Sequence, residues 1–540
     1  MFKGILVLLL GISQTAMASI DHMLSLSDET IKDQYIVRLA GPLSSYNMSE
    51  VEKTLGVKVI RQISVQSNAV LVESSSQDMM QSLAVSPLVQ NVSPNQIVSI
   101  QMTPNDPEFG KLWGLYNTGN NDPRGRAGKT GVDIRAMEAW DITTGSKDVV
   151  VAIIDTGVDA RIADLKNNMW VNEAELNGQP GVDDDGNGFI DDIHGYDFVN
   201  KDGDPTDDHG HGSHVAGTIA GEGNNGIDVA GVSWKAQIMG VKFLSASGSG
   251  TLADAISAID YATQMGAMIS NNSWGGGGYN AELQAAIERA SAANSLFVVA
   301  AGNQSNNNDS QAYYPCSYDV KNVLCVASLD SNGTMSDFSN YGAERVDVAA
   351  PGRNILSTTP GGLQVFSGTS MATPHVAGAA VLLLSENPGM SPEDIRARIM
   401  ATSKPNYRLK GKVASGGVLD AYAMLTNQTH PSDPEDPANW NQMDYQVSSS
   451  HPYAENAEET YTVEVPNATK FSLYFEKFDT EENYDKVTFK DENGNVIAEW
   501  SGTHNNEFSP EVQGTKLIIE LKADHTVQRH GFDITKVYYQ

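Results

Sequence analysis

The sequence predicts an α/β protein built on a doubly wound parallel sheet, with a small α+β module ahead of it and a β-sandwich behind. Three observations carry that expectation. Between Val149 and Leu425, strand-like apolar runs alternate with stretches of helical periodicity, the pattern of a parallel sheet covered by helices on both faces. Before this block, "DQYIVRLAG" through "QIVSI" mixes strand-like and amphipathic segments. After it, from about Tyr445, polar and apolar residues alternate in strand fashion around a turn at "ENGN".

At 540 residues the chain exceeds what one hydrophobic core usually serves, so several units are expected. Its first stretch, "MFKGILVLLLGISQTAMA", sets Lys3 before an apolar run and ends in Ala16, Met17 and Ala18, the small-x-small form of a signal-peptidase site. Residues 1–18 are therefore read as an export leader, since the run from Ile5 to Ile12 is too short to span a bilayer. Residues 33–101 make the small α+β module. In the block 106–425, "VVVAIID", "QIMGVKFL", "AMISNNSWG", "LFVVAAGN" and "NVLCVASL" read as strands, with helices at "TLADAISAIDYATQMGA" and "YNAELQAAIERASAAN". Residues 426–440, "TNQTHPSDPEDPANW", are a linker by composition, and 441–540 form the all-β unit.

A formal net charge of -32 repels nucleic acid and anionic membranes and argues against both as partners. No further apolar run is long enough for a membrane helix, so beyond the leader a soluble protein is expected, and its expected state is a monomer. The only two cysteines, Cys316 and Cys325, are close in sequence, and in an oxidising compartment such a pair reads as a structural disulfide.

The chemistry begins at "DDHGHGSHVAG", where His209, His211 and His214 stand behind two aspartates. Histidine serves both as metal ligand and as general base. A catalytic zinc site needs three convergent ligands and an open position, and no other His or Cys lies at a convincing spacing. Proton transfer has better support. Parallel sheets gather working residues at the carboxyl edge of their strands, and "VVVAIID" ends in Asp155 while "LFVVAAGN" ends in Asn303. In "SGTSMATPHVAG", Ser370 opens a helix of small residues. Pro374 is expected near the last orphan donor of the first turn, and the positive amide end faces the serine. Asp, His and Ser in that chain order make a candidate orienting carboxylate, base and nucleophile.

Three blocks in order, "AIIDTGVD", "HGHGSHVAGTIAG" and "GTSMATPHVAG", with "AAGN" between the last two, resemble the subtilisin-like serine proteases over about Asp106 to Leu425. The resemblance implies the subtilase α/β fold and an endopeptidase acting on polypeptides. Asp155 would orient the base, His211 act as general base and then acid, Ser370 attack, and Asn303 with the Ser370 N–H hold the oxyanion. "HGSHVAG" aligns with the family's His-Gly-Thr-His-Val-Ala-Gly, which puts the base at His211, leaves His214 a packed structural histidine and His209 a loop residue. The family's substrate-flanking stretches fall at Ser247, Gly248, Ser249 and Gly250 and at Ser273, Trp274 and Gly275, where glycines let an extended peptide pair with the backbone. Tyr313 matches the floor of the primary pocket and would make it shallower. The alternatives from other classes are an esterase and an inactive peptide-binding scaffold. The complete set of four reactive residues and the glycine stretches argue against both.

Residues 33–101 resemble the subtilase pro-domain, which implies an internal inhibitor released by self-cleavage between Gln101 and Asn105. Calcium is the expected cofactor, in a structural role. In "DDDGNGFIDD", Asp183, Asp185, Asn187, Phe189 and Asp191 follow the spacing of an EF-hand loop with Gly188 at the tight turn; His194 stands at the twelfth position, so Asp192 is the substitute ligand. The subtilase resemblance implies a second site at Asp164 and Asn225. The tail, "FEKFDTEENYDKVTFKDENGNVIAEWSGT" and "LIIELKADHTVQRHGFDI", resembles a CUB domain without cysteines, and Glu481, Asp485 and Asp524 match the acidic positions of its calcium-binding members.

Overall fold

The computed structural model describes residues 30–74, 79–96 and 103–540. The leader reading of 1–18 lies outside these residues, as do positions 101 and 102 of the expected cleavage stretch. The chain divides into two compact units, up to Gln101 and from Met102.

The first unit is a small α+β structure. Strands β1 (Thr30–Leu39), β2 (Lys58–Ser64), β3 (Ala69–Glu73) and β4 (Val89–Gln96) form an antiparallel sheet in the order β2-β3-β1-β4. Helices α1 (Met48–Leu55) and α2 (Met79–Ala84) complete it, and Val37, Val51, Leu55, Val70, Val72, Leu83 and Val92 share its core.

The second unit begins with the predicted α/β block. Its elements are α3 (Ala136–Trp140), β5 (Gly145–Asp155), α4 (Glu173–Leu176), β6 (Gly195–Asp197), α5 (His211–Ala220), β7 (Lys235–Lys242), α6 (Leu252–Gln264), β8 (Ile269–Asn272), α7 (Ala281–Ala292) and β9 (Leu296–Ala300). There follow β10 (Val323–Leu329), β11 (Val348–Pro351), a hairpin of β12 (Ile355–Thr359) and β13 (Gly362–Phe366), α8 (Thr369–Glu386), α9 (Pro392–Ala401), β14 (Lys404–Pro405), β15 (Gly417–Val418) and α10 (Ala421–Thr426). The main sheet runs β14-β15-β11-β10-β9-β8-β5-β7-β6, parallel from β15 to β6, with β14 antiparallel at the edge.

Both faces of this sheet are covered, which is why its strands read as continuous apolar runs rather than as alternating ones. In β5, Val151 and Ile153 pack on one side with Val215, Ile219, Val376 and Ala380 of α5 and α8, whereas Ala152 and Ile154 pack on the other with Ala258, Ile259, Ala286 and Ile287 of α6 and α7. Helix α8 is apolar all round because it is buried nearly all round. Gly378 gives it room: a Cβ there would lie 2.6 Å from the Val232 side chain. The chain order reverses between β5 and β8, and at such a switch point the loops at the carboxyl ends of the strands part to leave a crevice.

The tail is an antiparallel sandwich. One sheet pairs β16 (Asn441–Ser448), β24 (Gly531–Tyr539), β18 (Lys470–Asp479) and β21 (Glu507–Phe508), with β22 (Val512–Gln513) also on β18; the other runs β17 (Glu458–Glu464), β23 (Lys516–Lys522), β19 (Lys486–Lys490) and β20 (Val496–Trp500). The alternation read from the sequence is the alternation of burial: Leu517, Ile519 and Leu521 of β23 face inward between exposed or half-buried neighbours. They meet Phe471, Phe475, Phe478, Phe489 and Phe532. The Pro- and Asp-rich stretch before β16 does not hang free. Asp433 accepts the Tyr407 amide at 2.9 Å, Glu435 pairs with Lys129, and the buried Trp440 donates its indole N–H to the Pro434 carbonyl at 3.1 Å while Lys470 lies over its ring.

Candidate active site

β5 delivers Asp155 fully buried at its carboxyl end, and its Oδ1 accepts the Thr156 amide at 2.8 Å and meets His211 Nδ1 at 2.7 Å. His211 is the first residue of α5. The helix can start so close to the strand end because Gly212 has no side chain: a Cβ there would stand 2.1 Å from the Gly157 carbonyl oxygen. Asp207 fixes this junction, accepting from Thr156 Oγ1 at 2.9 Å and from the amides of Gly210 and Ser213 at 2.8 and 2.9 Å. Burial of the His211 ring opposes its charge, but the charge and hydrogen bond of Asp155, with Asp207 behind, outweigh it and raise the ring above its ordinary pKa of 6.5. Neither Asp207 nor the buried Lys242, which donates to the Thr156 carbonyl at 2.8 Å and to Asp208 at 2.7 Å, was expected from the sequence. In the sequence Asp207 is only one of two aspartates ahead of the histidines, and Lys242 only a charge ending an apolar strand.

Ser370 sits in the first turn of α8. The expectation for Pro374 needs correcting: the helix begins one residue earlier, at Thr369, and Pro374 lies inside it. A proline there removes the donor that would serve the Ser370 carbonyl. That carbonyl instead accepts the Ser273 hydroxyl at 2.8 Å, while the Ser370 hydroxyl donates to the Ser273 carbonyl at 3.0 Å. The proline thus ties the serine-bearing turn to the end of β8. Among the described hydrogen bonds the Ser370 hydroxyl is engaged with Ser273 rather than with His211, and catalytic hydrogen bonds of this kind commonly tighten only around substrate.

Asn303 follows β9. Its Oδ1 accepts both the Thr369 amide at 2.9 Å and the Thr369 hydroxyl at 3.0 Å. With the oxygen held by two donors, the Nδ2 group is left to point away from Thr369, and it lies close enough to Gly368 that a Cβ there would be 3.5 Å from it. A cleft beside these residues is lined by His209, His211, Ser247 to Gly250, and Ser273 to Gly277. Gly250 must be small, since a Cβ would meet the Phe243 carbonyl at 2.2 Å, and Trp274 packs edge-on against Phe243. The Tyr313 ring packs against Gly275 and Gly302, where added Cβ atoms would stand 2.5 and 3.0 Å from it.

The subtilase family model matches residues 146–430, more than half of the chain. The chain belongs to the subtilase family. Its enzyme class is accordingly that of the subtilisin-like serine endopeptidases, and a CUB domain model matches residues 439–536. The chain is 37% identical over 327 residues to the thermophilic serine proteinase of Bacillus sp. (strain AK1), covering 60% of this chain and 70% of that one. It is 40% identical to thermitase of Thermoactinomyces vulgaris, covering 52% of this chain and 91% of thermitase. With subtilisin-like protease 1 of Plasmodium berghei (strain Anka) it shares 38% over 53% of this chain and 51% of that protein.

Near the Asp155–His211 pair of this subtilase, His214 is fully buried, donates from Nε2 to the carbonyls of Ile355 and Gln364 at 3.0 and 3.2 Å, and stacks on Phe366. Burial pushes its pKa down to about 3, so it stays neutral. His209 is an exposed loop residue at the rim of the cleft. Cys316 and Cys325 are joined by a disulfide with Cα atoms 5.3 Å apart.

Three groups of oxygen donors lie away from the cleft. In the loop at 183–192, the convergent carboxylates are those of Asp183, Asp185 and the buried Glu175 of α4, with ligand atoms within 4.8 Å of one another. Glu175 was not foreseen, because it precedes the loop. The other expected ligands have engagements of their own. Asp191 accepts the Gly181 amide at 2.9 Å; Asp192 is fully buried and accepts from Tyr261 at 2.6 Å and from Asn172 and Asn187 at 3.0 Å each. The Phe189 ring packs among Tyr196, Phe198 and Tyr261. His194 turns away and binds the Trp170 carbonyl at 2.8 Å. At the second group, Asp164 is fully buried, accepts from Asn225 Nδ2 and the Val229 amide at 2.9 Å each, and burial pushes it up to about 6. The buried Asp106 accepts the Asn224 and Asn225 amides of the same loop, a second carboxylate the sequence did not reveal. In the sandwich, Glu481, Asp485 and Asp524 converge within 4.8 Å, and Tyr453 donates to the buried Asp485 at 2.6 Å.

Proposed function

We propose that this subtilase is an exported endopeptidase that cleaves peptide bonds in proteins through an acyl-enzyme on Ser370. The observation that carries the reading is the convergence at one sheet edge of the 2.7 Å Asp155–His211 pair with the Asn303–Thr369 clamp beside Ser370. A serine hydroxyl is a weak nucleophile until a neighbouring base takes its proton. Asp155 holds His211 Nδ1 and leaves Nε2 free for that task. Ser370 Oγ turns from the Ser273 carbonyl, passes its proton to His211 and bonds to the scissile carbonyl carbon. The oxygen so charged is met by Asn303 Nδ2 and the Ser370 N–H, preorganised donors of the kind that dominate such catalysis. His211 then gives its proton to the leaving amine, and a water repeats the sequence to free Ser370. The peptide lies extended between Ser247–Gly250 and Ser273–Gly275, with Tyr313 limiting the depth of the primary pocket.

In this reading residues 1–18 direct export, 33–101 form a pro-domain that inhibits until cleavage between Gln101 and Asn105, 106–425 are the catalytic domain, 426–440 the linker, and 441–540 the CUB domain. Calcium fits the three oxygen groups, since hard carboxylate donors crowded within a few ångströms repel one another until a cation joins them. Glu175, Asp183 and Asp185 would hold one ion, Asp164 with Asp106 and Asn225 a second, and Glu481, Asp485 and Asp524 a third. Bound calcium supplies charge neutralisation and cross-links loops. The test is Ser370→Ala in the full chain, which should yield an uncleaved precursor inert toward casein. Self-processing or casein digestion by that variant would refute the reading.

A further inference from the structure

One cluster of titratable groups is left unused by either the protease chemistry or the oxygen sites. His451 follows β16, and His530 immediately precedes β24, which carries Asp533. Their ligand atoms lie within 4.8 Å of one another. His451 Nε2 is 2.9 Å from Asp533 Oδ1, and His530 Nε2 is 2.6 Å from Oδ2. The two rings are nearly parallel, with centroids 3.9 Å apart. The arrangement is fixed by the strands, because Ser448 pairs with Asp533 in the ladder and donates its hydroxyl to the same carboxylate at 2.6 Å.

The orientation of His451 narrows what the cluster is for. Its Nδ1 lies 2.7 Å from the His530 carbonyl, which can only accept, so the Nδ1 proton is committed there. With Nδ1 so engaged, the nitrogen that faces Asp533 is Nε2, the atom a metal ion would take. Metal-bound histidines are held in just this way, with the second ring nitrogen donating to a backbone carbonyl. Two imidazoles and one carboxylate are a borderline-soft set that suits zinc and that calcium, which takes oxygen ligands, does not prefer. Tetrahedral zinc separates its ligand atoms by about 3.3 Å, so the imidazole–carboxylate contacts at 2.9 and 2.6 Å must lengthen and the two rings must turn out of their stack to admit it.

We propose that His451, His530 and Asp533 bind a zinc ion at the edge of the C-terminal sandwich, separate in ligands and in chemistry from the Glu481, Asp485 and Asp524 group. The ion clips the segment after the first strand of the sandwich, the strand that follows the linker, to the last strand, and keeps a fourth position open to solvent. The test uses the full chain carrying Ser370→Ala to prevent self-digestion, stripped with chelator and then saturated with calcium. Calorimetric titration with zinc chloride at pH 7.5 should show uptake at this site that His451→Ala or His530→Ala weakens at least about 100-fold, more than the loss of an outer-shell partner costs. Asp485→Asn should leave it unchanged. As a measure that needs no histidine variant, zinc but not calcium should protect His451 and His530 from diethyl pyrocarbonate, read by peptide mass spectrometry. Absence of zinc uptake, undiminished uptake by the His451→Ala/His530→Ala double variant, or equal modification with and without zinc would each overturn the site and leave a proton-held ion network.

Discussion

The catalytic domain and the sandwich treat charge in opposite ways. The parallel sheet is closed by helices on both faces, yet it admits Asp155 and Lys242 at the carboxyl ends of strands, with the loop residue Asp207 buried beside them, and partners them with His211, Thr156 and backbone groups. The sandwich keeps its centre aromatic and aliphatic, and its two clusters of converging charged groups, Glu481–Asp485–Asp524 and His451–His530–Asp533, lie at or close to the ends of strands. A strand end in a covered sheet can hold a side chain both rigid and dry, which is what proton transfer needs. Loop ends hold charge at the margin of the core, which suits ions that bind and stabilise. Changes in the first region should therefore alter chemistry, and changes in the second should alter stability.

The largest expected effect is that of Ser370→Ala. A serine knock-out in subtilisin lowers kcat by about 10⁶, and a loss on that scale is expected here with the melting temperature nearly unchanged. In the sandwich, Phe475→Ala should cost about 3–5 kcal/mol, since the ring is fully buried among Phe478, Phe489 and Phe532. Calorimetry should show the C-terminal transition move while hydrolysis of a short peptide persists. Equal loss of activity would mean that the two regions do not act separately. Asn303→Ala should lower kcat by about 10²–10³ with little change in KM, because the amide meets charge that appears only in the transition state. An effect on KM alone would count against the oxyanion role.

A pH profile sharpens the comparison. Since His211 is raised above 6.5, the protonated and inactive ring persists to higher pH, and the rising limb of kcat/KM should have an apparent pKa above that value. Asp207→Asn, removing one of the charges that raise it, should move the limb toward lower pH. The smallest effect is expected from Asp485→Asn, which should abolish the calcium-dependent part of the C-terminal melting shift, about 2.7 kcal/mol at a calcium concentration of 100 Kd, and leave kcat untouched.

Much of this molecule is legible in its sequence. The α/β block can be read because buried parallel strands are apolar without interruption, and the sandwich because half-buried strands alternate. Asp155 and Asn303 stand out as polar residues ending such runs. Partners that arrive from another element leave no comparable mark: Glu175 and Asp106 precede the loops they join, and nothing in the spacing of their neighbours singles them out.

Local sequence thus determined the elements, the core faces and the residues able to do the chemistry, because periodicity and residue type act over a few positions. Tertiary structure alone decided the rest. It set the Ser273–Ser370 exchange that takes up the carbonyl freed by Pro374, the Thr369 clamp that turns the Asn303 amide, and the meeting of His451, His530 and Asp533. Each joins groups from distant parts of the chain, and only the packing of whole strands and helices brings such groups within hydrogen-bonding distance.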